Sequence, residues 1–162
     1  MRHDRIQAIL NNEEYKSCYA VIKECEKDRI FCHHDMTHFL DVARIAQIIN
    51  FEESIGVDRE LIYATALLHD IGRHIQYQTG ERHEKASAAI APRILKECGY
   101  DEAEIEVIVD AITNHRNADI AMEPGLRGII YRGDKASRPC FACEAQQQCD
   151  WKGSKKNMEL KY

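Results

Sequence analysis

The placement of the histidines is the feature that most constrains how this chain folds. The sequence contains eight histidines, and four of them lie on, or at the end of, an apolar stripe of a different predicted helix. These four are His38, His69, His83 and His115. Because apolar stripes turn toward the core, a fold that satisfies all of them buries four ionisable rings carried by four helices.

The predicted elements are all helices. Prolines number three, and no alternating pattern typical of a strand persists for more than a few residues. The predicted helices cover about 12–29, 35–53, 59–70, 81–98, 101–115 and 126–137. Pro92 lies inside the fourth helix and predicts a kink or a split there. We therefore expect an all-α fold, a compact helical bundle of about six main helices, in a single domain over residues 1–162.

Composition and charge narrow the class of protein further. Apolar residues make up 44% of the chain, enough for a hydrophobic core, and the net charge is −5. Lysine and arginine are scattered among acids, so we expect no nucleic-acid polymer as a partner. The N-terminal residues carry a charge every few positions, and no later stretch is as apolar as a membrane span. These features predict a cytoplasmic protein with no membrane partner, and they are compatible with a homodimer.

Two aspartates belong to the same pattern as the four histidines. Asp70 follows His69 directly, and Asp134 lies four residues after Ile130 on the last predicted helix. A single histidine on an apolar face is usually a core residue hydrogen-bonded to the backbone. Burying four histidines and two carboxylates together is costly unless they surround a shared charge, which a divalent cation supplies. The sequence therefore predicts a metal site.

The order and spacing of these residues resemble a known family, the HD-domain superfamily of metal-dependent phosphohydrolases. The matching segments are, in chain order, HFLDVARIA with His38, LLHDIG with His69 and Asp70, then His83, AITNHR with His115, and GDKAS with Asp134. His83 and His115 occupy the two middle positions of the subset that binds two metals. The resemblance covers a core of about 31–138 and leaves a cysteine-containing C-terminal segment, 139–162, outside it.

The resemblance implies a dinuclear metal centre. The first metal would be held by His38, His69, Asp70 and Asp134. Asp70 would bridge to a second metal, completed by His83 and His115. The implied cofactors are two divalent transition metals, iron or manganese, because mixed nitrogen and oxygen ligands suit either. The implied reaction is hydrolysis of a phosphoric ester or anhydride by a hydroxide that bridges the metals.

The expected substrate is a nucleotide or another small phosphorylated metabolite. Small members of the family with the same ligand set hydrolyse diadenosine tetraphosphate, so dinucleotide polyphosphates form one substrate class to test. Two alternatives stay open: an HD-fold oxygenase with a mixed-valent di-iron centre, and a non-catalytic metal-binding protein. The ligand residues alone do not separate these three functions.

Three cationic side chains next to the motif residues are candidate catalytic residues alongside Asp70. Arg73, Arg116 and Lys135 each follow a predicted ligand within three positions. Guanidinium and ammonium groups donate hydrogen bonds to phosphate oxygens, so these three side chains are candidate substrate contacts. The alternative for each is an ordinary solvated side chain. His34, one turn before the first motif histidine, is a candidate to face the substrate or to act as an alternative ligand.

The cysteines form a second constellation. The chain has seven, and an odd number in a cytoplasmic protein argues against a disulfide framework. Cys140, Cys143 and Cys149 have the spacing of a structural zinc or iron–sulfur site that lacks one ligand. Cys32 is the candidate fourth ligand, with His33 as the alternative. The other interpretations are free buried thiols and, less favoured, an oxidation-sensitive pair.

Overall fold

The structure is a computed structural model, and it describes residues 4–162. All regular secondary structure over those residues is helical. In chain order the helices are α1 (Arg5–Asn11), α2 (Glu13–Glu26), α3 (Met36–Glu52), α4 (Arg59–Leu68), α5 (Arg73–Thr79), α6 (His83–Glu97), α7 (Glu102–Asn114) and α8 (Leu126–Ala136). Short 3-10 turns lie at Ala118–Ile120, Cys140–Ala142 and Gly153–Lys155. The predicted all-α fold is confirmed.

Aspartate caps explain why three of the predicted helices begin where they do. The side chain of Asp35 accepts a hydrogen bond from the backbone N–H of His38 at 3.0 Å. Asp58 accepts one from a backbone N–H in the first turn of α4 at 2.7 Å. Asp101 and Glu104 form a capping box at the start of α7. Such caps satisfy the N–H groups that a first helical turn leaves unpaired, so the predicted starts of α3, α4 and α7 are confirmed.

Two helices lie where the sequence pattern predicts none. The short helix α1 precedes a corner at Asn12, whose side chain caps α2 by accepting from the N–H of Tyr15 at 3.0 Å. The short helix α5 follows the break at Gly72 directly. Each spans only seven residues, too short for a periodic apolar stripe to stand out in the sequence. Contacts with the bundle fix the start of each: Arg5 of α1 pairs with Glu60 and Glu104, and the N–H of Gly72 before α5 donates to Ser87 of α6.

Of the predicted kink or split at Pro92, the split is wrong, because α6 runs without interruption from His83 to Glu97. A proline inside a helix costs about 3 kcal/mol or more, since it removes one backbone hydrogen bond and crowds the preceding turn. On either side of it, Ile90, Ile94 and Leu95 are buried. Each such side chain contributes about 1.5–3 kcal/mol when it leaves water, so their burial outweighs the cost of the proline.

The helices pack so that several of their ends meet at one place. α3 packs against α4 and α8, while α7 packs against α4, α6 and α8. The N-terminal ends of α3 and α6 come together with the C-terminal ends of α4, α7 and α8. The apolar core, which includes Phe39, Ile62 and Ile108, fills the rest of the bundle. This meeting point of helix ends is where the motif residues lie.

Two glycines allow the close approaches that build this meeting point. A Cβ on Gly133 would lie 2.8 Å from the carbonyl oxygen of Val42, so α8 contacts α3 through bare backbone. A Cβ on Gly72 would lie 2.4 Å from the backbone nitrogen of Ser87 on α6. The Gly72 N–H also donates to the Ser87 hydroxyl at 2.8 Å. Only glycine fits at either position without moving a helix.

The C-terminal segment, residues 139–162, is built differently from the bundle. It contains 3-10 turns but no α-helix, and Cys140 and Ala145 are its only buried residues. Its attachment to the bundle includes two hydrogen bonds from the Asn157 amide, which donates to the carbonyls of Lys135 and Arg138. Polar contacts therefore take the place of a core there.

No helix within residues 4–162 has both the length and the apolar character needed to cross a bilayer.

Candidate metal centre

The structure gathers all six predicted ligands into two adjacent groups. The first group contains His38, His69, Asp70 and Asp134, and the second contains Asp70, His83 and His115. Within each group the ligand atoms lie within 4.8 Å of one another. All are buried except Asp134, which is partly exposed. Asp70 belongs to both groups, as a bridging ligand must.

Each histidine is placed at a helix end, not in the middle of a helix. His38 lies in the first turn of α3, and His83 is the first residue of α6. His69 and His115 are the C-terminal caps of α4 and α7. Four separate helices therefore each deliver one ring to the point where their ends meet. The sequence predicts one histidine on or at the end of each of four helices. In the structure, His69 and His115 lie just beyond the last residue of their helices.

Backbone carbonyls orient two of the rings. Nδ1 of His69 lies 2.7 Å from the carbonyl oxygen of Ala66, and Nδ1 of His115 lies 2.6 Å from that of Ile112. A carbonyl can only accept, so Nδ1 carries the proton in both rings. In a neutral ring the lone pair then lies on Nε2, the nitrogen that faces the group of ligands.

Side chains orient the other two rings in the same sense. Nδ1 of His83 lies 2.6 Å from the amide oxygen of Gln76, which accepts. Nδ1 of His38 lies 3.1 Å from the hydroxyl of Ser137, whose own proton goes to the carbonyl of Asp134 at 2.7 Å. The hydroxyl must therefore accept from His38. In their neutral form all four rings therefore present the lone pair of Nε2 to the centre.

The arrangement of these Nε2 atoms fits a cation. Nε2 of His38 and Nε2 of His69 are buried and have no hydrogen-bond partner. Nε2 of His83 faces Nε2 of His115 at 3.2 Å. Two lone pairs at this distance repel unless a proton or a metal ion lies against them, and buried polar atoms without a partner are costly. The residues present therefore fit the metals that the donor set implies.

Asp70 connects the two groups through its two oxygens. Oδ2 faces the first group, 3.2 Å from Nε2 of His69 and 3.5 Å from Nε2 of His38. Oδ1 faces the second group, 3.1 Å from Nε2 of His83 and 3.6 Å from Nε2 of His115. One carboxylate with one oxygen toward each group is the arrangement that bridges two cations.

The charges of the centre favour ionised carboxylates. Burial alone would raise the pKa of Asp70, but the charges of His69 and Arg73 hold it well below its usual range. Burial would likewise raise the pKa of Asp134, and Lys135 together with the neighbouring histidines holds it well below normal. Without metal, a proton on Nε2 of His69 partly neutralises these two carboxylates.

The two groups treat the proton differently. Burial opposes the charged form of His69, but the carboxylates of Asp70 and Asp134 outweigh it and raise its pKa to about 10. In the second group, burial is the largest influence and lowers the pKa of His83. A metal ion must therefore displace a proton from Nε2 of His69 in the first group, whereas burial favours the neutral form of His83, in which Nε2 carries no proton.

The three cationic candidates occupy different places. Nε of Arg73 lies 3.3 Å from Oδ1 of Asp70, and Nζ of Lys135 lies 2.6 Å from Oδ2 of Asp134. Both border the centre, partly exposed on its solvent side. Arg116 instead lies 3.8 Å from Glu84, with half of its side chain exposed. Arg73 and Lys135 are thus brought to the ligands, and Arg116 is placed at the edge.

A buried pair next to the first group was not predicted as a unit. Glu26 on α2 accepts from Nδ1 of His34 and, at 2.7 Å, from the backbone N–H of the same residue. It also accepts from the hydroxyl of Tyr77 at 2.5 Å. His34 is 5% exposed and Glu26 is 2% exposed. Nε2 of His34 lies 3.8 Å from Oδ2 of Asp70, so this ring faces the centre from outside the two ligand groups.

The ionisation of this pair follows from its surroundings. Burial is the main cause that lowers the pKa of His34 to about 4. Burial would raise the pKa of Glu26, but the hydrogen bonds and charge that His34 supplies lower it to about 2. At neutral pH the pair is therefore a carboxylate and a neutral imidazole whose free nitrogen faces Asp70.

The cysteines are all free thiols. Cys140 is buried, whereas Cys32, Cys143 and Cys149 are partly exposed. Within residues 4–162 no three of these thiols lie within 4.8 Å of one another, so the structure does not assemble them as it does the histidines. The alternative ligand His33 is engaged elsewhere, because its Nε2 donates to the carbonyl of Arg29 at 2.7 Å.

The sequence pattern marks the candidate ligands but not most of the residues that orient them. Gln76, Ser137 and Glu26 each contact a histidine ring of the centre or next to it. Ser137 belongs to the GDKAS motif and could have been found from its place there. Gln76 and Glu26 lie on helices that carry no ligand, and nothing in their spacing marks them.

Comparisons with known proteins agree with this site. The sequence model of the HD domain matches residues 35–146. An uncharacterized protein of Clostridium beijerinckii is 46% identical over 159 residues, covering 98% of this chain and 99% of that protein. Ribonuclease Y of Rubrobacter xylanophilus is 28% identical over 137 residues, covering 77% of this chain but 23% of the ribonuclease. No solved structure matches the chain significantly.

Proposed function

This chain belongs to the HD-domain family, and on that premise we propose that it is a phosphohydrolase that uses two divalent metal ions. Its substrate would be a nucleotide or another small phosphorylated metabolite. The two groups of histidines and aspartates offer the ligands that such metal ions need.

One observation carries the proposal, the orientation of Asp70. Its two oxygens face two separate pairs of histidine Nε2 atoms, at 3.1–3.6 Å. A carboxylate that only balanced the charge of one ion would not need a separate histidine pair at each oxygen. When two divalent cations are bound in such a site, they lower the pKa of a shared water and offset charge on phosphoryl oxygens. Iron or manganese suits the mixed donor set.

The chain's own side chains supply the remaining steps. Arg73 and Lys135 each pair with a carboxylate of the centre and keep part of the side chain in solvent. A bound phosphoryl group placed between them would accept hydrogen bonds from both cations, which hold it against the ligands. Arg116, at the edge, would contact a more distant part of the substrate.

His34 is placed to handle a proton. Its Nε2 is free, because Nδ1 is held by Glu26, and it faces the centre at 3.8 Å from Asp70. The ring would take up at Nε2 the proton that the attacking water loses and pass it to the leaving oxygen. The negative charge of Glu26 would stabilise the cationic ring in between.

The charge of the surroundings favours a small substrate. The cationic groups next to the ligands are few, and the net charge of the chain is −5, so no basic track for a polymer is expected. The likeness to ribonuclease Y nevertheless gives one reason to test short RNA oligonucleotides as well. Dinucleotide polyphosphates are the other class to test first.

The direct test is reconstitution followed by a substrate screen. Purified protein is stripped with a chelator, reloaded with Mn²⁺ or Fe²⁺, and assayed for phosphate release from nucleotides, dinucleotide polyphosphates, phosphate monoesters and short RNA. We expect metal-dependent hydrolysis that is lost in Asp70→Asn and kept in His74→Gln. His74 is the matched control, because its Nδ1 contacts the carbonyl of Ile71 and it is outside both ligand groups.

Two outcomes would contradict the proposal. Consumption of O₂ by the iron-loaded protein, with no activity in the presence of Mn²⁺, would favour the di-iron oxygenase. Full metal loading with no turnover on any phosphorylated compound would favour a non-catalytic metal-binding protein.

A further inference from the structure

We propose that Cys32, Cys140, Cys143 and Cys149 bind one structural metal ion, zinc, in a tetrahedral site separate from the histidine centre. This site does not depend on the proposed phosphohydrolase activity. It would hold the C-terminal segment, residues 139–162, against the segment that leads into α3.

The C-terminal segment, residues 139–162, lacks a hydrophobic core of its own. Of residues 139–162, Cys140 and Ala145 are buried, and the rest are partly or fully exposed. A stretch of this length that buries so little apolar surface does not order itself through hydrophobic packing. Chains with too small a core are commonly held by a structural metal or by disulfides, and all the cysteines here are free.

The two cysteine-bearing segments lie side by side. The guanidinium of Arg138 donates to the carbonyl of His33 at 2.7 Å, which connects the residues next to Cys140 and Cys32. Burial is the largest influence that raises the pKa of Cys32. Arg138 lowers it, and negative charge on the thiolates of Cys140, Cys143 and Cys149 would raise it further. The contact between Arg138 and His33 places the two cysteine-bearing segments next to each other, and the influence of the three cysteines on Cys32 agrees with that placement.

Hydrogen bonds within the C-terminal segment order its three cysteines. Cys140 starts a 3-10 turn, and the N–H of Cys143 closes it on the carbonyl of Cys140 at 3.2 Å. A turn of this kind brings the two thiols of a C-x2-C pair to the same side. The amide of Gln146 donates to the same carbonyl at 2.8 Å and folds the chain back toward this turn. The N–H of Cys149 is bonded to the carbonyl of Ala145 at 3.0 Å, which orders the third cysteine.

Closing the site requires a shift of the exposed segment. Zinc–sulfur bonds of about 2.3 Å place tetrahedral sulfur atoms about 3.8 Å apart. No three of these thiols are within 4.8 Å of one another in the described chain, so the cysteine-bearing segments must move closer together when the ion binds. Four thiolates in a tetrahedron are the donor set typical of structural zinc.

The position of the site gives it a consequence for the histidine centre. Cys32 lies shortly before His38 at the start of α3, and Cys140 lies shortly after Ser137 at the end of α8. His38 and Ser137 are hydrogen-bonded to each other. A metal ion that fixes both segments would therefore stabilise the first ligand group and leave His83 and His115 unaffected.

The test separates the two kinds of site by their ligands. Full-length protein carrying Asp70→Ala, which disables the histidine centre, is loaded with Co²⁺ and with Zn²⁺ alone. We expect one equivalent of metal and the intense absorption of tetrahedral cobalt bound to thiolates, a signal that histidine and carboxylate ligands do not give. Adding Cys143→Ser should abolish both, and limited proteolysis should then cut within residues 139–162.

Two matched variants keep the result interpretable. Cys32→Ser removes the ligand from the other segment and should have the same effect as Cys143→Ser, without any change in the C-terminal chain. Cys25→Ser changes an exposed cysteine of α2 and should leave metal content and absorption unchanged. Circular dichroism checks that each variant keeps its helices, which come from the bundle.

Several results would overturn this proposal. They are the absence of thiolate absorption in the Asp70→Ala protein, unchanged metal binding in both Cys143→Ser and Cys32→Ser, iron with inorganic sulfide in place of zinc, or a disulfide between these cysteines detected by mass spectrometry after alkylation. If the protein with all its cysteines releases no phosphate from any substrate, that result contradicts the proposed function and not the zinc site.

Discussion

The two halves of the histidine centre have different charge and different support. The first half is formed by His38, His69 and Asp134, and the second half by His83 and His115. Asp70 is shared between them. The first half thus adds a second carboxylate and one more ligand than the second. A cation gains more from two carboxylates than from one, so we expect the first half to bind metal more tightly and the second half to exchange it.

The histidine rings of the two halves are also held by different partners. In the first half, His38 depends on a hydroxyl at Ser137, in the last turn of the bundle before the C-terminal segment. In the second half, His83 depends on the amide of Gln76 on the short helix α5. Each half therefore has one ring held by a backbone carbonyl and one held by a side chain that can be changed.

Removing the shared ligand should have the largest effect. Asp70→Ala takes away the carboxylate that faces both halves, so both metal affinities should fall by more than the roughly hundredfold seen for outer-shell partners. Metal analysis after dialysis and a phosphate-release assay measure this. In Asp134→Ala only the first half should be affected. Equal loss from both halves in Asp134→Ala would contradict the division of the centre into halves.

Replacing His34, the proposed proton-transfer residue, should leave metal bound in both halves of the centre. His34→Gln is expected to lower kcat by about a hundredfold or more, the range of a general acid or base, while metal content stays constant. Glu26→Gln should have a smaller effect in the same direction, because the ring stays but loses its anionic partner. A loss of metal from His34→Gln would show that His34 is a ligand of the first half.

Metal binding should depend on pH in the first half more than in the second. The pKa of His69 is raised to about 10, so the metal-free ring is protonated at neutral pH and a metal ion must displace that proton. Affinity should therefore rise by about tenfold per pH unit from pH 7 until it levels off near pH 10. His83, whose pKa is lowered by burial, adds no such dependence in this range. Calorimetry in buffers of different ionisation enthalpy counts the released protons. Equal pH dependence of binding for both metal ions would contradict the predicted difference between the two halves.

The supporting side chains should act on one half each. Gln76→Ala should weaken the second metal and Ser137→Ala the first, each by about 10–100-fold. Competition with a chelator of known affinity measures both constants. Gln78→Ala is the matched control on the same helix, because Gln78 is exposed and lies two residues from Gln76. Coupled changes in both halves would indicate that Asp70 transmits the loss of one ring to the other.

The smallest effect is expected from the contact between α3 and α8. In Gly133→Ala the added Cβ would meet the carbonyl of Val42 at 2.8 Å, which should cost about 1–3 kcal/mol of stability. Urea unfolding measures it, with Gly153→Ala as the control, since nothing lies within 4 Å of a Cβ there. The first half should lose some affinity because Asp134 and Ser137 are on α8. An unchanged stability would show that the two helices can separate without loss.

The pattern of the sequence was enough to predict the class of fold and the candidate ligands. Apolar stripes recur at helical spacing, and each motif histidine lies at a fixed offset from its stripe, so the pattern predicts both the helices and the residues that meet in the core. The aspartate caps at Asp35, Asp58 and Asp101 are local, because a cap contacts only its own first turn. The short helices and the continuity of α6 across Pro92 were beyond reach of the pattern, since contacts with the rest of the bundle decide them.

The orientation of the candidate ligands and the identity of their neighbours depend on the tertiary structure. The proton on each Nδ1 is fixed by partners such as Gln76 and Ser137, and these become neighbours only when the helix ends meet. The same holds for Glu26 and His34, which reach the centre from α2 and from the segment before α3. Local spacing predicts which residues can bind a metal, because periodicity is a property of one helix. Which nitrogen faces the metal depends on hydrogen bonds between elements, and no single element contains that information.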